Sequence, residues 1–106
     1  MASKPLRFHP EAEEEYLASL SWYQQRSPIA ATNFETAVGV ALETIQKAPQ
    51  RWPIYFNNFR KYVLRQFPFS VIYQEFSTEV VIFAVAHGSR RPGYWNERVS
   101  SAESYE

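Results

Sequence analysis

His87, Arg90, Arg91 and Tyr94 fall within eight residues of one another, and Trp95 follows directly. An imidazole titrates near neutrality, a guanidinium fork matches phosphate or carboxylate, and a phenol can donate or stack. Together these are the side chains a site for an anionic group would use. Each also has a plain structural reading. His87 can close a strand, Arg90 and Arg91 can be solvated loop charges, and Tyr94-Trp95 can plug the end of a core. The combination favours function, because rigid elements that end in loops are where binding side chains concentrate.

The element that must position them is the strand before. Residues 80–85, VVIFAV, are an unbroken β-branched and aromatic run, as in a strand covered on both faces. His87 closes it, Gly88-Ser89 permits a turn, and Pro92-Gly93 permits a second. Upstream, residues 59–66 alternate with period two: Phe59, Lys61, Val63 and Arg65 share one face, and Arg60, Tyr62, Leu64 and Gln66 the other. Phe67-Pro68-Phe69 interrupts the pattern, residues 70–76 resume it, and Ser77-Thr78-Glu79 connects tightly into Val80. Three consecutive antiparallel strands in a meander follow.

The first half of the chain reads as a helical hairpin. A short apolar strand, residues 6–8, stops at His9-Pro10. Proline at a first helical position followed by Glu11, Glu13, Glu14 and Glu15 is a strong helix start. Ala12, Tyr16, Leu20 and Tyr23 form one stripe, and the glutamates read as a solvated first turn rather than a catalytic carboxylate pair. Ser27-Pro28 starts a second helix with the stripe Ala30, Phe34, Ala37, Val38, Ala41, Leu42 and Ile45, ending before Pro49. Residues 48–58 read as a loop laid over the core. The fold class is therefore α+β: a short N-terminal strand, a helical hairpin, then a three-stranded antiparallel meander in one sheet. With the hairpin on one face, Lys61, Arg65 and some aromatics are expected to line an open, basic second face.

Composition narrows the classes. A chain of 106 residues holds a single domain, placed at residues 1–99 with a polar tail at 100–106. Cysteine is absent and the two histidines lack carboxylate spacing, so neither a metal site nor a cofactor is expected, and a reducing cytoplasm suits the chain. No apolar run approaches a signal peptide or a membrane span. Net charge is zero but uneven: residues 1–50 carry four Lys/Arg against six Glu, residues 51–98 seven against three. The sheet half therefore suits an anionic partner.

The run Arg60-Lys61-Tyr62-Val63-Leu64-Arg65-Gln66-Phe67-Pro68-Phe69, then Val71-Ile72-Tyr73, the strand ending in His87, and Arg90-Arg91-Pro92 with Tyr94-Trp95 resemble the RelE/ParE family of bacterial toxins, in particular ParE-like plasmid-stabilisation members. The resemblance covers the chain from Phe8 onward in element order. It implies a toxin of a type II toxin-antitoxin module, silenced by a cognate antitoxin and arresting growth when free. RelE-like members cleave messenger RNA in the ribosome without a metal. On that pattern His87 would be base or acid, Arg65, Arg90 and Arg91 phosphate stabilisers, and Tyr94 an aromatic positioner. ParE-like members inhibit DNA gyrase by binding. Strong ribosomal nucleases carry several lysines in the sheet half, whereas here Lys61 stands alone, so gyrase inhibition is slightly favoured. Lys61, Arg65, Arg91, Tyr94 and Trp95 are then the expected contacts with target or antitoxin. A degenerate binding module without potent activity is the third reading.

Overall fold

The computed structural model describes residues 3–99, so the expected polar tail lies outside the described residues. Chain order is β1 (Leu6–Phe8), α1 (Pro10–Arg26), α2 (Pro28–Lys47), β2 (Ile54–Phe56), β3 (Phe59–Val63), β4 (Phe69–Glu75) and β5 (Val80–His87). The strands form one sheet in the order β1-β5-β4-β3-β2, with β1 parallel to β5 and every other pair antiparallel.

Local chemistry sets the helix boundaries. His9 caps α1 through Nδ1, which accepts from the Glu11 N–H at 3.2 Å, and Pro10 occupies the first turn where no N–H is needed. Ser27 serves both helices: its N–H closes α1 on the Tyr23 carbonyl at 2.7 Å, and its Oγ accepts from the Ala30 N–H at 3.2 Å to open α2. One residue therefore makes the hairpin bend. Phe34 is fully buried where the hairpin meets the sheet, within ring contact of Tyr16, Tyr23, Phe67 and Phe69. Val38, Ala41 and Ile45 continue the buried stripe along α2.

The sheet differs from the expected arrangement in three ways. First, it has five strands, because Ile54–Phe56 pairs with β3 instead of forming a loop. Asn57, at φ 51°, and Asn58 make the two-residue turn between them, the positive φ that asparagine tolerates in a hairpin. Second, β3 stops at Val63. Gln66 takes a φ of 69° and the Leu64 N–H bonds the Phe69 carbonyl, so residues 64–68 form a tight reversal. Third, the face away from the helices is not open. Phe59, Ile72, Val81, Phe83, Ala84 and Ala86 build a second core there, closed by Trp95. A register shift opposite Ile72 and Tyr73 puts both Phe83 and Ala84 on this face.

β5 lies inside the sheet between β1 and β4, and residues 80–86 are all buried. The strand at the middle of the order is β4, not β5. Ion pairs pin β1 to the far end of the meander: Lys4 to Glu75 and Arg7 to Glu79, both at 2.8 Å.

Candidate functional site

β1 is too short to cover β5. Its ladder ends where the His9 N–H meets the Ile82 carbonyl at 2.8 Å, which leaves the β5 edge from Phe83 onward without a neighbouring strand. Two side chains replace the missing strand. Glu15 Oε1 accepts from the Val85 N–H at 3.0 Å, and Arg98 Nη1 donates to the Phe83 carbonyl at 2.8 Å. The two are themselves paired, Arg98 Nη2 to Glu15 Oε2 at 2.9 Å, and both are largely buried. An edge that would otherwise hold unpaired backbone groups is thus satisfied by one ion pair.

The same Oε2 accepts from the Tyr94 hydroxyl at 2.9 Å. Burial, then the charge and hydrogen bond of Glu15, hold the Tyr94 phenol well above its ordinary pKa, so it is a neutral donor. Burial works to lower Arg98, but the hydrogen bond and charge of Glu15 outweigh it, and Arg98 is held above its usual value. The Tyr94 ring carries the Arg90 guanidinium 3.9 Å from its centroid. Gly93 turns the chain at φ 83°, and a Cβ there would meet the Phe56 ring at 2.8 Å. Asn57 Nδ2 also donates to Asn96 Oδ1 at 2.8 Å, tying the C-terminal turn to the β2–β3 hairpin.

His87 is exposed at the end of β5, in ring contact with Phe69. Its Nδ1 accepts from the Ser89 backbone N–H at 3.0 Å, with Ser89 Oγ at 2.8 Å. A backbone N–H can only donate, so Nδ1 is the unprotonated nitrogen and Nε2 carries the proton of the neutral ring. His87 therefore presents a donor. Lys61 reaches the Tyr55 ring at 4.2 Å and lines, with His87 and Arg90, a cleft of about 70 Å³ over Ser70 and Ala86. A larger groove of about 460 Å³ runs past the other side of His87, between Trp22 and Tyr23 of α1 and Pro68-Phe69.

Lys61, His87 and Arg90 thus meet in one cleft. Arg91 is exposed beside them and has no ion-pair partner among the described residues. Arg65 does not join them. It lines a separate groove with Asn33, Thr36 and Val40 of α2, on the helix face, because the reversal after Val63 ends the strand alternation that would have set it beside Lys61. A shared anion site of Arg65 and Arg90 is not what this fold builds. Trp95 is 2% exposed and packs on Phe59, which is the plug reading and leaves it no surface to offer.

Glu15, Ser89 and Arg98 were missed by the sequence reading. The glutamates are not one solvated turn: Glu15 follows Ala12 by three and adjoins Tyr16, so helical periodicity places it at the border of the buried stripe. Nothing in the spacing singles out Arg98. Among the described residues no three His, Cys, Asp or Glu side chains gather to hold a metal, and no helix is long and apolar enough to cross a membrane.

The profile of the family described as ParE toxin of type II toxin-antitoxin system, parDE, matches residues 6–92. Among solved structures, the chain is similar to one from a chromosomal ParDE toxin-antitoxin system of P. aeruginosa, with a TM-score of 0.70 and 17% identity, covering 80% of this chain and 96% of that one. It is also similar to a mutant of the E. coli toxin RelE in its free state, with a TM-score of 0.56 and 15% identity over 98% of each chain. At these identities the structural likenesses show the fold. None of the curated protein sequences matches.

Proposed function

Because the chain belongs to the ParE toxin family of type II toxin-antitoxin systems, we propose that it arrests growth by binding and inhibiting DNA gyrase, and that a cognate antitoxin silences it. The observation that carries this reading over a nuclease is the family match over residues 6–92, and the setting of His87 supports it. Its Nδ1 accepts from the Ser89 N–H, so in this arrangement the ring turns Nε2–H outward rather than a lone pair for a 2′-hydroxyl proton. Tyr94 is likewise held as a neutral donor to Glu15. With Arg65 on the helix face, what remains is a cationic and aromatic rim of Lys61, Arg90 and Arg91, suited to binding an anionic surface.

The antitoxin reading rests on the helical hairpin. A groove of about 330 Å³ between α1 and α2 is floored by Phe8, Tyr16, Val38 and Leu42, with Leu17 on its lip 53% exposed. Glu13 and Glu35 flank it, and neither has an ion-pair partner among the described residues. An amphipathic antitoxin segment seated here is apolar with basic flanks, while any acidic portion goes to Lys61 and Arg91 on the rim.

The second reading, ribosome-dependent mRNA cleavage, keeps one supporting observation, the convergence of Lys61, His87 and Arg90 on one cleft. Both are tested on the same purified protein by gyrase supercoiling and by mRNA cleavage on ribosomes. The proposal expects supercoiling to be inhibited, with His87→Ala close to wild type. Cleavage that falls by roughly 10²-fold or more in His87→Ala, with supercoiling untouched, would establish the nuclease instead.

A further inference from the structure

The guanidinium of Arg90 is exposed and has no carboxylate within ion-pair distance among the described residues. Its direction is set by the face of Tyr94, 3.9 Å away. Besides Arg90, the Tyr94 ring has three contacts: its edge-to-face contact with Trp95 at 5.2 Å, the Arg98 guanidinium 5.2 Å from its centroid, and its hydroxyl on Glu15 at 2.9 Å. Glu15 in turn cannot drift, because its other oxygen is fixed by the Val85 backbone at 3.0 Å and its charge by Arg98 at 2.9 Å.

We infer that Glu15 is the positioning residue of the basic rim: a carboxylate on α1, seated on the uncovered edge of β5, holds Tyr94, and Tyr94 holds Arg90. The inference rests on the reading of that rim as the target-binding surface. Glu15 does more than cap a strand edge, because the two jobs use different oxygens. Oε1 serves Val85, and Oε2 serves Tyr94 and Arg98. A glutamine at this position can still accept from the Val85 N–H through its amide oxygen. Its NH₂ group then stands where Oε2 stood: it faces the Arg98 guanidinium, which can only donate, and the Tyr94 phenol loses its charged acceptor and can at most accept in return. Glu15→Gln therefore keeps the strand cap and loosens the clamp on Tyr94, since the carboxylate charge and the acceptor of the phenol are both lost.

The test uses the full chain with uniform isotope labelling, comparing wild type with Glu15→Gln, Tyr94→Phe, Arg90→Ala and the double variant Glu15→Gln/Arg90→Ala. Glu43→Gln, at the far end of α2, is the control. Three quantities are read: the nuclear Overhauser contact between the Tyr94 ring and the Arg90 side chain, hydrogen exchange at the Val85 amide, and the concentration needed to inhibit supercoiling. In Glu15→Gln, Val85 should stay protected while the Tyr94–Arg90 contact disappears. Inhibition should weaken by about tenfold, as for loss of one interface anchor. The double variant should be no weaker than Arg90→Ala alone, since both changes remove the same contact.

Retention of the ring contact in Glu15→Gln overturns the inference, as does a double variant whose loss is the product of the two single losses. If Glu15→Gln fails to fold, Tyr94→Phe decides, because it deletes only the hydroxyl and leaves the Glu15–Arg98 pair in place. It too should free Arg90, and an undisturbed Arg90 there is equally fatal. A wild type that leaves gyrase untouched defeats the gyrase reading alone, since the ring contact and the exchange still judge the positioning.

Discussion

Truncating Trp95 to alanine opens a hole beside Phe59 and Phe83, and large-to-small changes at such buried aromatics cost about 3–5 kcal/mol. Trp95→Ala should shift the urea midpoint accordingly, and its loss of growth arrest should track the folded fraction. Lost arrest in a variant of unchanged midpoint would show a surface contact that the burial denies. His9 gives a different residue-scale expectation. It is 5% exposed, its Nδ1 caps α1, and its Nε2 has no hydrogen-bond partner among the described residues. Burial holds its pKa below the ordinary 6.5. The unfolded chain therefore binds the proton more readily, and the stabilisation present above about pH 6.5 is lost as pH falls toward the folded pKa. Urea midpoints of wild type should drop as pH falls below about 6.5, whereas His9→Asn, which keeps a capping acceptor, should lose that slope. The meeting of His87 and Arg90 in one cleft was legible because their spacing at the end of one strand suffices to bring them together. Trp95 was legible only as two alternatives, since a sequence does not say which face a turn closes.

At the scale of elements, the helices were readable because their boundaries are local: proline, a capping side chain and a stripe lie within a few residues of each other. Ser27→Ala tests this directly. It removes the acceptor for the Ala30 N–H and should cost about 1 kcal/mol, or roughly 4–8 °C in melting temperature for a domain of this size. An unchanged melting curve would mean the bend is held by packing alone. The strands were less readable because pairing is not local. Residues 54–56 look like loop between Pro53 and Asn57-Asn58 until β3 is present to pair with them. The alternation through residues 59–66 is real as far as Val63, and Arg65 was misplaced by continuing it through a reversal that Gln66 makes with a positive φ. Glu15 was missed for a related reason: four glutamates at a helix start fit the dipole so well that the one facing inward is hidden among them.

For the molecule as a whole, Lys4, Arg7, Lys47 and Arg98 pair with glutamates, and several of the charges left over gather by sign. Glu13 and Glu35 remain on the hairpin, while Lys61, Arg90 and Arg91 remain on the rim. The two surfaces should therefore be separable by mutation. Leu17→Glu places a charge on the lip of the helical groove. It should abolish rescue by the co-expressed antitoxin while leaving growth arrest intact, and rescue at wild-type levels would remove the groove from the interface. Lys61→Glu or Arg91→Glu should instead weaken gyrase inhibition, with wild-type inhibition itself falling as salt rises, because exposed charges are screened beyond about 10 Å at 0.1 M ionic strength. The pairs at β1 predict acid sensitivity as well. Hydrogen bonds from Lys4 and Arg7 hold Glu75 and Glu79 below the ordinary 4.5, so the stability they add above that pH should vanish as it falls further.

The β5 edge is closed by Glu15 and Arg98, groups 83 positions apart, and the strand itself pairs Val80 with Leu6. Synthesis runs from one end, so the helical hairpin can dock early, yet the edge has no donor for the Phe83 carbonyl until residue 98 has left the ribosome. The rim is then completed only once residue 98 is free to fold. A nascent chain halted anywhere before that point carries the hairpin without a finished rim.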